Sequence, residues 1–343
     1  MTTTPTLEEW RKLYDLMGKV KALAPWEWMK ETDVFGIQHP ETAEFRFISV
    51  MGMLGEYYAV AIYLGPAALY DLRDLQDAGP SGFPGRILEI PQLQASFTDR
   101  QGLQKEDHKI IKQLGLRFRG KSAWPCFRSH QPGCMPWLID VEEARLLTWA
   151  LEQTLEVTPR FKETPALMAF TDRESYLVRI PIKGESGFIW RDQVMRIPRP
   201  EPETIALDIA EEFLNSLTHL TKARQDIEID VFMFPSPVRE ETVSPRPFFP
   251  YVMLLVSAQN GMVLGTEMLS PFPSLNAMRG SIPAKIFATF NKLGILPERI
   301  LVSSDMLFDL LEPVTQHLDV KLRRTRKLKN LEQVKQSMFQ YFR

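Results

Sequence analysis

Apolar residues recur at helical spacing from the start of the chain. Leu7, Trp10, Leu13, Met17 and Val20 share one face, Thr6 and Glu9 complete a capping box ahead of them, and Pro25 ends the run. Residues 66–77 read as a second helix with Pro66 near its first position. Residues 105–114 read as a short third helix that Gly115 closes. A longer helix over about 141–155 opens on Asp140 and Glu143 and lines up Ala144, Leu147, Leu151 and Leu155. Between these lie β-rich stretches. Residues 45–51 and 57–64 flank a glycine-containing turn, and 87–97 hold one or two short strands. Residues 166–171 and 175–182 flank a turn at 172–174, and 188–197 add another strand. Residues 25–42 read as a structured connection and 79–85 as a Gly/Pro loop, while three prolines keep 120–137 from being helical throughout.

The proline-rich stretch 197–204 is the best linker, and no repeat with a 20–50-residue period is visible. Beyond the linker, apolar spacing predicts a helix over 204–223 and a strand over 227–234. Asn260-Gly261 predicts a hairpin of 251–258 with 262–269, because this dipeptide favours the two-residue turn. Helices are expected at 283–293, 306–318 and 329–342, with strands at 299–305 and 319–324. From residue 227 the order is βββαβαβα. The chain therefore reads as two domains, 1–200 and 201–343, in an α+β protein whose first part is a mixed α+β domain with antiparallel hairpins.

Composition narrows the class. Across 343 residues, 41 basic and 43 acidic side chains nearly cancel, and 44% of residues are hydrophobic, as in an ordinary globular chain. No apolar run reaches the roughly 18 residues a membrane span needs, and the N-terminus lacks an apolar signal core. Two cysteines make no disulfide framework, so a cytoplasmic location is expected.

The element order of the last third resembles the ribonuclease H-like fold, the architecture of many nucleases, integrases and resolvases. That resemblance implies carboxylates holding two divalent ions, and Asp230 and Asp305 fall on its first strand and at the end of its fourth. The predicted helix at 283–293 has no acid and the last offers only Glu332, so the module reads as catalytically degenerate. The motifs PWEW (25–28), DVFGI (33–37), SVMG (49–52), RGKSAWPCFRS (119–129) and PGCMPW (132–137) resemble those of a bacterial family of two-module cytosolic proteins built from domains of unknown function. That family implies no chemistry to carry over.

Three further patterns bear on function. Gly115 to Ser122 spells G-x-x-x-x-G-K-S, the phosphate-loop pattern with Lys121 as the phosphate lysine, but a helix precedes it and Pro125 sits where its own helix should continue. Cys126, His130 and Cys134 have metal-ligand chemistry without a fourth partner, so no metal and no cofactor are expected. Residues 201–230 carry eight acids and two bases, whereas 320–343 carry eight bases and one acid. Lys321, Arg323, Arg324, Arg326, Lys327 and Lys329 form a compact basic run suited to a nucleic-acid or acidic protein partner. The acidic stretch at 204–223 competes as an internal partner for that run. Trp124 and Trp137, in Pro-rich stretches, either line a groove or pin their loops. The function expected is non-catalytic binding or scaffolding, with a metal-dependent nuclease using Asp230 and Asp305 as the alternative and nucleotide binding through Lys121 behind it. No signal specifies an oligomeric state.

Overall fold

The computed structural model describes residues 4–79, 84–185 and 187–341. It is a mixed α+β structure with two sheets, and the chain divides into two compact units. The first comprises Met1–Gln131 and Pro136–Glu201, the second Pro132–Met135 and Pro202–Arg343.

The first unit contains β1 (Val34–Gln38), β2 (Phe45–Met51), β3 (Ala59–Leu64), β4 (Gln92–Thr98), β5 (Trp124–His130), β6 (Ser175–Gly184) and β7 (Gly187–Arg196). Its helices are α1 (Leu7–Leu23), α2 (Pro66–Ala78), α3 (Lys105–Gln113) and α4 (Val141–Glu163). The sheet order is β5-β4-β3-β2-β1-β6-β7, antiparallel except where β1 meets β6. Strand side chains alternate between faces. Phe35, Ile48, Ile62, Leu93 and Ala95 therefore join Leu13, Met17, Leu147 and Leu151 of α1 and α4 in one core. Val34, Phe47, Ala61 and Tyr63 point the other way and meet Leu69 and Leu72 of α2. Thr6 and Asp140 both make full capping boxes, with the Glu9 N–H 3.2 Å from the Thr6 hydroxyl and the Glu143 N–H 2.9 Å from the Asp140 carboxylate.

The second unit contains β8 (Thr221–Met233), β9 (Tyr251–Ser257), β10 (Val263–Leu269), β11 (Ile295–Val302) and β12 (Lys321–Arg324), with helices α5 (Glu211–Leu217), α6 (Leu275–Leu293), α7 (Asp305–His317) and α8 (Lys329–Tyr341). The sheet order is β10-β9-β8-β11-β12. β8, β11 and β12 run parallel, and β9 is antiparallel to both of its neighbours. Leu328 and Leu331, at the start of α8, pack on Phe232, Val252, Leu254 and Val256. Gly265 of β10 comes against Thr289 of α6 on the side of Leu255 and Met253, which puts α6 on the opposite face.

Several expectations need correction. DVFGI is a strand, β1, and not a connection; a Cβ on Gly36 would lie 3.0 Å from Val178, so its neighbour β6 packs close. The hairpin pairs Ser175–Gly184 with Gly187–Arg196, and 165–168 is a 3₁₀ turn. α4 runs past Pro159 to Glu163. α6 begins at Leu275, capped by the Ser274 hydroxyl, and carries Pro283 in its interior. The helix expected at 204–223 shrinks to Glu211–Leu217, and β8 already begins at Thr221. Tertiary contact takes the rest of that stretch: the Asp208 N–H donates to Gly280 O at 3.0 Å, and a Cβ on Gly280 would run into the Ala206 carbonyl. Ser304 caps α7, with the Leu307 N–H 3.4 Å from its hydroxyl. Of the Gly/Pro loop, residues 80–83 lie outside the described residues, as does Phe342.

Candidate functional site

Alternation along β8 puts Glu228, Asp230 and Phe232 on the face that α8 covers. Leu328, at the α8 entry, has no capping side chain. The buried Glu228 carboxylate supplies the cap instead, accepting the Leu331 N–H at 2.7 Å. One turn further, Lys335 Nζ lies 3.3 Å from Asp230 and 3.9 Å from the centre of the Phe232 ring. A cation on the last helix thus neutralises the first-strand carboxylate, where shared metal coordination needs another acid. Asp305 is held elsewhere: Arg324 of β12 lies 2.7 Å from it, 4.0 Å from Asp309 and 4.7 Å from the Phe308 ring centre. Among the described residues, no group of three His, Cys, Asp or Glu side chains has a metal-binding arrangement.

The basic run forms the edge strand β12 and the entry to α8. Lys321 pairs with Glu298 at 3.3 Å, and Lys327 with Glu332 at 3.5 Å. With Arg324 they leave Arg323, Arg326 and Lys329 exposed and without an ion-pair partner among the described residues. The partners found come from α7, α8 and β11, not from the acidic 204–223 stretch, so that expected internal pairing is absent among the described residues.

In the first unit the G-x-x-x-x-G-K-S loop runs from a helix, α3, into a strand, β5. A phosphate loop leaves a strand and opens a helix. Three of its amides are also committed: Gly115 donates to Lys112 O at 3.1 Å, Leu116 to Ile111 O at 3.1 Å and Ser122 to Asp99 at 2.7 Å. Lys121 is exposed. Cys126 lies in the first unit's core, while Cys134 makes a bridge with Phe248 in the second, so the Cys-His-Cys pattern does not act as one set. Burial pushes the Cys126 thiol up to about 11, against the opposing pull of Arg128. Trp137 pins its loop through paired backbone bonds with Ser129, both 2.9 Å.

Trp124 is among the residues that border a hollow. This hollow of about 520 Å³ lies between α3, the 116–119 segment and the start of β5. Along that segment Leu116 and Phe118 are half-buried and Arg117 and Arg119 exposed, so an extended backbone gives an apolar floor and a cationic rim. Arg100 and Lys112 complete the rim. Rings continue the floor: Phe118 stacks on Tyr14 at 5.9 Å, Trp124 meets Phe118 edge-on at 5.7 Å, and His108 stands 6.2 Å from Trp124.

The frame behind the hollow is tightly tied. Asp107 and Arg128, both buried, form a two-pronged pair at 3.0 and 2.5 Å. Asp107 also accepts the Gln104 N–H at 2.7 Å, and Arg11 of α1 reaches Leu114 O at 3.1 Å. Burial is the largest single influence on Arg128 and disfavours its charge, but the Asp107 hydrogen bonds together with the attraction of the nearby acidic groups outweigh it and raise its pKa. Sequence reasoning misses Arg100, His108, Lys112, Arg117, Phe118 and Arg119. The alternation of Leu116-Arg117-Phe118-Arg119 is the available signal, and the overlapping phosphate-loop pattern draws attention to Lys121 instead.

No helix of the described residues is long and apolar enough to cross a membrane. No curated protein matches the chain. Residues 10–179 match a family model described as a domain of unknown function (DUF7309). Residues 213–339 match a second family model, also described as a domain of unknown function (DUF6930), so the two matches follow one another along the chain.

Proposed function

We propose that this is a non-catalytic binding protein of the bacterial cytoplasm, whose second unit is a ribonuclease H-like module that has exchanged its metal cleft for ion pairs and engages an anionic macromolecule. The strand order β10-β9-β8-β11-β12, with β9 antiparallel to its neighbours, supports the ribonuclease H-like reading. The observation that carries the binding reading is the exposed, unpaired trio Arg323, Arg326 and Lys329, which runs from the edge strand β12 to the first residue of α8. Unpaired cations on a surface release counterions when they meet a polyanion, which gives salt-dependent affinity. Against the nuclease alternative stand Lys335 and Arg324, each paired with one of its two carboxylates. Basic edge strands also discourage strand-to-strand association, and the test separates the two roles. In fluorescence anisotropy with a labelled 20-nucleotide strand and an acidic peptide, the triple variant Arg323→Glu/Arg326→Glu/Lys329→Glu is expected to bind at least tenfold more weakly at low salt. Unchanged binding together with self-association of the variant assigns these residues to edge protection and removes the binding reading.

A further inference from the structure

We propose that the hollow in the first unit binds a phosphorylated nucleoside, either free or as one unit of a single strand, through side chains and not through a phosphate loop. The argument begins with charge. Arg100, Lys112, Arg117 and Arg119 border one concavity, no carboxylate lines it, and none of the four side chains has a hydrogen-bond or ion-pair partner among the described residues. Here four converge on a volume of about 520 Å³, within the ~300–1,000 Å³ of small-ligand sites. Cations gathered against low-dielectric walls focus a positive field into the cleft, although the whole chain is nearly neutral. A phosphate monoester brings about −1.5 to −2 charge and three acceptor oxygens, which guanidinium groups recognise in two-pronged fashion.

The floor selects the rest of the ligand. Trp124 and Phe118 offer half-buried ring surface beside the rim, with Ile111 and Leu116 around them. Bases stack on such rings with little regard to sequence, and arginines at the edge add cation–π attraction. A bare anion leaves this floor wet, and an acidic peptide satisfies the rim without a planar group for the floor. The Asp107–Arg128 pair fixes α3 to β5 behind the rings, so the floor is formed before a ligand arrives. The proposal is independent of the basic edge in the second unit.

Calorimetric titration of the full chain at low salt, with ADP, a ten-nucleotide single strand, inorganic phosphate and an acidic peptide, tests it. Saturable binding of ADP, of the strand or of both is expected, at least tenfold tighter than inorganic phosphate or the peptide. ADP alone identifies a free nucleotide and the strand alone a nucleic-acid unit; either supports the proposal. Arg117→Ala/Arg119→Ala, truncated at exposed positions, is expected to lose at least tenfold, and Arg323→Glu/Arg326→Glu to bind ADP as the unaltered chain does. Quenching of tryptophan fluorescence by the ligand is expected to disappear in Trp124→Phe. The proposal is overturned by absence of saturable binding to ADP and the strand. Undiminished binding by Arg117→Ala/Arg119→Ala overturns it too, as does a peptide or inorganic phosphate that binds as tightly as ADP.

Discussion

The segments 116–121 and 321–329 resemble each other as strings, both rich in arginine and lysine interleaved with leucine. Their surroundings differ. In 321–329, Lys321, Arg324 and Lys327 meet carboxylates supplied by Glu298, Asp305 and Glu332, and the segment runs from an edge strand into the start of a helix. In 116–121, Arg117 and Arg119 meet none and border a hollow. Local charge density along a chain is therefore a poor measure of electrostatic field. What decides it is which distant carboxylates fold back and whether the surface is concave. The ion pairs behind the two segments also differ in kind: Asp107–Arg128 is buried, while Arg324–Asp305 is open to water.

That contrast gives graded expectations. Arg128→Met leaves the Asp107 carboxylate buried without its partner and should cost about 3–5 kcal/mol in urea unfolding. If the loss is under about 1 kcal/mol, the frame behind the hollow is not the rigid element described. Glu228→Gln keeps an acceptor for the Leu331 N–H but removes the charge at the α8 N-terminus, and should cost about 1–2 kcal/mol. Arg324→Ala breaks only exposed contacts and should stay within about 1 kcal/mol by the same measurement. A cost comparable to that of Arg128→Met would erase the distinction between the two regions.

The smallest effect concerns pH. Burial raises the Cys126 thiol to about 11, above its unfolded value of about 8.5. A raised thiol pKa means the folded chain holds its proton longer than the unfolded one. The linked stability is complete below about pH 8.5 and is lost as pH rises towards 11. Both buried thiols should accordingly resist a thiol reagent at pH 8 in the native protein and react on unfolding. Rapid native reaction of Cys126 would show that β5, at the edge of the first sheet, opens easily.

Local chemistry made much of the fold legible. The Thr6 and Asp140 caps and the βββαβαβα order are short-range features, each decided by neighbours in sequence; the β9–β10 hairpin also forms around Asn260-Gly261, but across a four-residue loop at 258–261 and not the expected two-residue turn. The stretch 204–223 failed for the opposite reason: its helical spacing yielded to backbone contact with Gly280, some seventy residues away. The candidate sites divide in the same way. Residue type and order alone identified the basic run and the missing acids of the metal set. Only the tertiary structure decided that Lys335 takes up Asp230, that Arg324 takes up Asp305, and that Trp124 and four unpaired cations share one hollow. Pairing and concavity depend on side chains brought together from remote positions, and no local pattern encodes that convergence.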